Sequence, residues 1–151
     1  MDGLVFIALN PPGLETAQKA KAALGYGEIH GLEGRTSGGD LTFDATGQHL
    51  RALFKAGRPI VAFMASGAVI RILASELADK HEEPPVIAAS LDGVHIVPLL
   101  GGHHGGNKLA NALAVALAGQ AAITTGSDSI LGAALDDPPD GWWFEANGDA
   151  K

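Results

Sequence analysis

Leu4-Val5-Phe6-Ile7-Ala8-Leu9 is an unbroken apolar stretch that runs into Asn10-Pro11-Pro12-Gly13. Six apolar residues are strand length. Their lack of alternation predicts a strand covered on both faces, as in a parallel sheet. A parallel partner needs a crossover, and the next segment supplies one. Leu14–Leu24 places Leu14, Ala17, Lys21 and Leu24 at roughly helical spacing and stops at Gly25, a C-cap residue. The pattern then repeats along the chain. Strands are predicted at 28–32 and 59–64, separated by a Thr36–Asp40 turn and a helix at 45–56. A helix at 66–78 and a loop at 80–85 follow. Strands at 86–89 and 94–99 are joined by an Asp92-Gly93 turn. A glycine-rich loop at 101–106, a helix at 107–117 and a strand at 121–124 complete the series. This order predicts an α/β fold: a three-layer, mainly parallel (mixed) sheet with helices on both faces, Rossmann- or flavodoxin-like. No internal repeat is expected.

The domain is expected to span 1–135. Residues 136–151 (DDPPDGWWFEANGDAK) are acidic, rich in Pro and Gly, and without periodicity. They read as a tail or a linker to a further domain, with Trp142 and Trp143 anchoring it to the body.

The chain has 151 residues, a net charge of −7 and no cysteine. A disulfide scaffold, a thiolate zinc site and a cysteine nucleophile are therefore excluded. No apolar run approaches the roughly 20 residues of a membrane span, and the N-terminus lacks the basic start of a signal peptide. The expectation is a cytoplasmic domain that binds neither membrane nor nucleic acid. The charge is uneven. Residues 136–151 carry five acids and one lysine, so −4 of the −7 lies there, and no acid occurs from Gly93 to Ser127. The central surface is expected to be neutral or basic.

Two strand-to-helix loops carry the candidate chemistry, because ligands of open α/β sheets bind beyond the carboxyl ends of strands. In the first, small residues precede Ser66 and Gly67, with Arg71 one turn on as a carboxylate clamp. It matches neither GxxxxGK[ST] nor GxSxG, which counts against a nucleotide binder. An N-cap serine beside a solvated arginine would explain it as well. In the second, Gly101-Gly102-His103-His104-Gly105-Gly106-Asn107, four glycines admit a bulky ligand and two imidazoles titrate near neutrality. Adjacent histidines point apart, so a metal would need a third ligand such as His95 or Asp128; no metal is expected. A structural turn with exposed histidines is the plain alternative. The third loop, Thr124-Thr125-Gly126-Ser127-Asp128, offers hydroxyls and one carboxylate. His30 and His49 read as surface or packing residues.

Together these loops resemble the amino-terminal domain of the CbiG family of cobalamin biosynthesis. The resemblance rests on Gly67 and Arg71; on Leu77, Lys80, Pro84 and Val86; on Leu99, Leu100, Gly102, His103, Gly105, Gly106, Asn107, Leu109 and Ala110; and on Ile123, Thr124, Thr125 and Asp128. It implies a role in building the corrin ring: hydrolysis of cobalt-precorrin-5A, in which a δ-lactone opens and a two-carbon fragment leaves as acetaldehyde. His103 or His104 would then serve as base, with Asp128 as the alternative. The amides of Gly105–Asn107 and the Asn107 side chain would steady an oxyanion. Ser66, Gly67, Gly102, Thr124 and Thr125 would line the substrate, and Arg71, Lys80 and Lys108 would clamp its carboxylates. No cofactor is expected in the domain itself, cobalt entering only as part of the substrate. The segment 131–142 (LGAALDDPPDGW) resembles the join to a precorrin-3B C17-methyltransferase, which would bring S-adenosylmethionine only in that further domain. A non-catalytic tetrapyrrole-binding module is the competing reading.

Overall fold

The structure, a computed structural model, describes residues 1–79 and 83–125. Seven strands form one sheet: β1 (Val5–Ala8), β2 (Glu28–Leu32), β3 (Leu41–Phe43), β4 (Ile60–Phe63), β5 (Val86–Ala89), β6 (His95–Leu100) and β7 (Gln120–Ala121). Their order across the sheet is β3-β2-β1-β4-β5-β6-β7. The first five run parallel; β6 turns back antiparallel to β5, and β7 follows β6 in parallel. The sheet is thus mixed and mainly parallel. Its helices are α1 (Pro11–Leu24), α2 (Thr46–Lys55), α3 (Ser66–Leu73) and α4 (Gly106–Leu117).

The opening hexapeptide behaves as its composition demands. Val5–Ala8 is central, and all four side chains are wholly buried. Alternation along the strand divides them between two cores. Phe6 and Ala8 join Leu14 and Ala17 of α1 and Leu109 and Leu113 of α4 on one face. Val5 and Ile7 join Leu50 and Leu53 of α2 and Val69 and Leu73 of α3 on the other. Helices therefore cover both faces, two to each.

Four boundaries differ from expectation. α1 starts at Pro11, not Leu14: Asn10 Oδ1 accepts from Gly13 N–H at 3.0 Å, and two prolines occupy the first turn, where their missing N–H is harmless. β3, a three-residue edge strand, escapes any pattern test. α3 ends at Leu73 and tightens into a 3₁₀ turn at Ala74–Glu76. The last strand is only Gln120–Ala121, with Ala122 N–H still donating to Ile96 O at 2.8 Å. Lys80, Asp128 and the segment 136–151, with the domain boundary before it, lie outside the described residues.

Candidate functional site

The two glycine loops both follow a strand, yet the reversal at β6 puts them on opposite edges of the sheet. Phe63 pairs with Ala8 and Ala89, so the loop entering α3 lies at the carboxyl ends of β1, β4 and β5. Leu100 pairs with Val86, which pairs with Ile60, itself beside Val5. The Gly101–Gly106 loop therefore lies at the amino ends of the same strands. Ser66, Gly67 and Arg71 are not brought together with His103, His104 and Asn107.

The second loop is built by backbone contact. Gly101 adopts φ 65° and Gly105 φ 88°, a region open to glycine at little cost. A Cβ on Gly101 would stand 2.6 Å from Pro85 N and 2.7 Å from Pro84 C and O. Gly106 is equally hemmed in, since its Cβ would stand 2.8 Å from Gly101 O. Gly102–His104 makes a 3₁₀ turn, and Gly101 O accepts from the N–H groups of His104 and Gly106, each at 3.0 Å. The Gly106 amide is thereby removed from the expected oxyanion donors.

Two side-chain bonds then fix the loop. His104 Nδ1 lies 2.7 Å from Glu83 O. A carbonyl only accepts, so Nδ1 carries the proton and Nε2 is the basic nitrogen of the neutral ring. Asn107 Nδ2 donates to Thr125 Oγ1 at 3.0 Å, joining the start of α4 to the segment after β7. Asn107 also packs against Gly102, whose Cβ would meet its amide at 3.5 Å. Gly102, Gly105, Gly106, Asn107 and Thr125 thus form one cluster, with His103, His104 and Lys108 exposed on it. Thr124 is also exposed. Its expected partner Asp128 lies outside the described residues.

At the opposite edge, the Arg71 side chain doubles back toward the start of α3, as helical side chains lean. Its guanidinium nitrogens would lie 3.5 and 3.7 Å from a Cβ on Gly67. Arg51 does the same over Gly47 in α2, at 3.5 and 3.6 Å. The two segments, Ala45-Thr46-Gly47-Gln48-His49-Leu50-Arg51 and Ala65-Ser66-Gly67-Ala68-Val69-Ile70-Arg71, share one A-[ST]-G-x-x-x-R pattern. That short repeat corrects the expectation of none, and comparing the two helix starts by eye would have found it.

One polar cluster lies away from both loops. His30, 2% exposed, is packed between Glu28 Oε2 (3.2 Å from Nε2) and His49 Nε2 (2.9 Å from Nδ1). Arg58 Nη2 also holds Glu28 at 2.8 Å, and His49 stacks on Phe43 with 4.5 Å between ring centres. Both histidines are packing residues. Among the described residues, no three His, Asp or Glu side chains gather as metal ligands, and no helix is long and apolar enough to cross a membrane.

Comparison with known proteins adds an independent line. Residues 48–128 match the family model described as cobalamin synthesis G N-terminal. The chain is 36% identical over 80 residues to cobalt-precorrin-5A hydrolase of Priestia megaterium, covering 52% of this chain and 21% of that protein. It is 30% identical over 137 residues to cobalt-precorrin-5A hydrolase of Salmonella typhimurium, covering 89% of this chain and 39% of that one. The chain thus spans well under half the length of these curated relatives. A solved structure of a cobalamin biosynthesis protein G homolog from Sulfolobus solfataricus shares the fold, with a TM-score of 0.61 and 24% identity. That match covers 81% of this chain and 36% of the other.

Proposed function

Because the chain belongs to the cobalamin synthesis G N-terminal family, we propose that it binds a carboxylate-rich corrinoid precursor at the edge carrying Gly101–Asn107 and Thr125. We infer that this binding serves the opening of a lactone on the corrin periphery. One observation carries the reading. Asn107 and Thr125, 18 residues apart, meet in a 3.0 Å hydrogen bond. Two segments that resemble the family's motifs thereby become one surface at the start of α4. Lys108 supplies positive charge there, and no acid intervenes in sequence from Gly93 to Ser127.

In this reading the lactone carbonyl lies against the glycine loop. Water adds to that carbonyl and gives a proton to His103, the histidine at the motif-like position. The ring oxygen leaves with the returned proton, giving a carboxylic acid and an alcohol. His104 acts as the clamp that ties the loop to Glu83. Cobalt enters as part of the substrate. The short span of the relatives that this chain covers favours a second reading, a binding module whose chemistry is completed by other domains. We also propose that residues 136–151 form a join to such a domain, a C17-methyltransferase being the one their sequence resembles. The reading frame beyond Lys151 tests that join.

The test of function is a titration of the chain with a polycarboxylated corrinoid such as cobyrinic acid, paired with turnover of cobalt-precorrin-5A. Asn107→Ala should weaken binding. His103→Ala should lower turnover about 10²–10⁴-fold with binding retained, whereas His104→Ala should act mainly on stability. Corrinoid binding without turnover would establish the module reading. No binding would sink both.

A further inference from the structure

The carboxyl edge of the sheet holds a crevice that the reading above leaves unused. β1 sends its chain to one face of the sheet, through α1, and its neighbour β4 sends its chain to the other, through α3. Where adjacent strands diverge in this way the loops separate and leave a cleft, the usual place for a ligand in an open α/β sheet. Here the cleft is real. Leu9, Asn10, Phe63, Met64, Ala65, Ala89, Ser90 and Leu91 enclose a cavity of about 350 Å³ across the ends of β1, β4 and β5.

Its chemistry is lopsided. Six of the eight side chains are apolar, and alanines at 65 and 89 leave room between the larger Leu9, Phe63, Met64 and Leu91. The polar pair, Asn10 and Ser90, is committed to the fold: Asn10 caps α1, and Ser90 Oγ both donates to Asp92 and accepts from His95 N–H. Asp92, the nearest acid in sequence, is held by Ser90 and by Val94 N–H at 3.1 Å. No acid lines the cavity. Ala65 on its wall leads within two residues to Gly67, over which the Arg71 guanidinium is folded. Arg71 is exposed, and no hydrogen bond or ion pair holds it among the described residues. An apolar cleft with one uncommitted guanidinium beside it matches a carboxylate on a short carbon chain. The volume lies at the small end of the roughly 300–1,000 Å³ typical of ligand pockets, too small for a whole macrocycle.

We propose that this crevice binds a short aliphatic carboxylate, with Arg71 on the acid group and Leu9, Met64 and Leu91 around the carbon chain. The carboxylate is either a free small acid or one peripheral arm of a larger tetrapyrrole. The site stands apart from the Gly101–Asn107 edge and does not rest on the lactone reading.

The test is a ¹⁵N amide titration of the full chain with hexanoate, with hexanamide as the neutral control. Hexanoate should shift the amides of Asn10, Met64–Gly67 and Leu91, and leave Gly101–Asn107 in place. Hexanamide should bind at least five-fold more weakly. Arg71→Gln, at an exposed position, should weaken hexanoate by a similar factor with the spectrum otherwise intact, and Ala65→Phe should block the cleft. Equal affinity of Arg71→Gln, or no shift at the crevice, overturns the site. A parallel arm with uroporphyrin separates the sources. Shifts of the same crevice amides assign the carboxylate to a tetrapyrrole arm; shifts from hexanoate alone assign it to a free acid.

Discussion

At the scale of single residues, His30 and His49 have the clearest consequence. Nε2–H of His30 donates to Glu28, so its Nδ1 accepts from His49 Nε2–H in the neutral pair. Protonation of His49 leaves that bond in place, but protonation of His30 sets two N–H groups face to face. Burial pushes both histidines below their usual range; for His30 the Glu28 carboxylate opposes the shift, and for His49 the His30 charge adds to it. Arg58 adds like charge to both, while Lys21-bound Asp40 draws His30 back slightly. A depressed folded pKa means that the unfolded chain takes up protons first. Stability should therefore be full above about pH 6.5, the unfolded value for histidine, and fall as the pH drops below it. Urea unfolding from pH 8 to pH 5 reads this directly. His49→Gln should flatten that fall, and an unchanged slope would remove the pair as its cause. The glycines make the second residue-scale case. Gly101→Ala combines positive φ with backbone contact at 2.6 Å, and should destabilise by about 3 kcal/mol or more. Chemical denaturation measures it, with Gly34→Ala as the control: positive φ, nothing within 4 Å.

Among the elements, strands with unbroken apolar runs were legible because burial on both faces leaves no alternation to misread. β1, β4 and β5 are such strands, each with four buried residues. The start of α1 was not, because Asn10-Pro11-Pro12-Gly13 has turn composition and only the Asn10 cap shows it to be helical. β3 was missed because three residues carry no period. α2 shows what a helix lacks when its start is built for something other than stability. Its N-cap is exposed Ala45, in the extended conformation an N-cap needs, with no side-chain bond and no acid in the first turn. Ala45→Asp should supply both and raise stability by about 0.5–2 kcal/mol, read as a rise in Tm.

For the molecule as a whole, the fold class was readable from element order, but the placement of the site was not. Both glycine loops follow strands, and the rule that ligands lie beyond carboxyl ends holds for each. What the order of elements hides is that β6 runs antiparallel to β5, so that one carboxyl end faces one edge and the other faces the opposite edge. Only the pairing register, Leu100 with Val86, shows this. The meeting of Asn107 with Thr125 likewise depends on β7 running beside β6, a pairing of two residues that no periodicity announces. The reversal also settles a practical matter. Gly105 lies against the end of the Met1 side chain, whose Cε would be 2.9 Å from a Cβ there. The first residue of the chain thus abuts the glycine loop. An affinity tag fused ahead of Met1 would hang over the proposed corrinoid surface, so protein carrying one should bind cobyrinic acid more weakly until the tag is cleaved, and assays of this domain are better run on tag-free material.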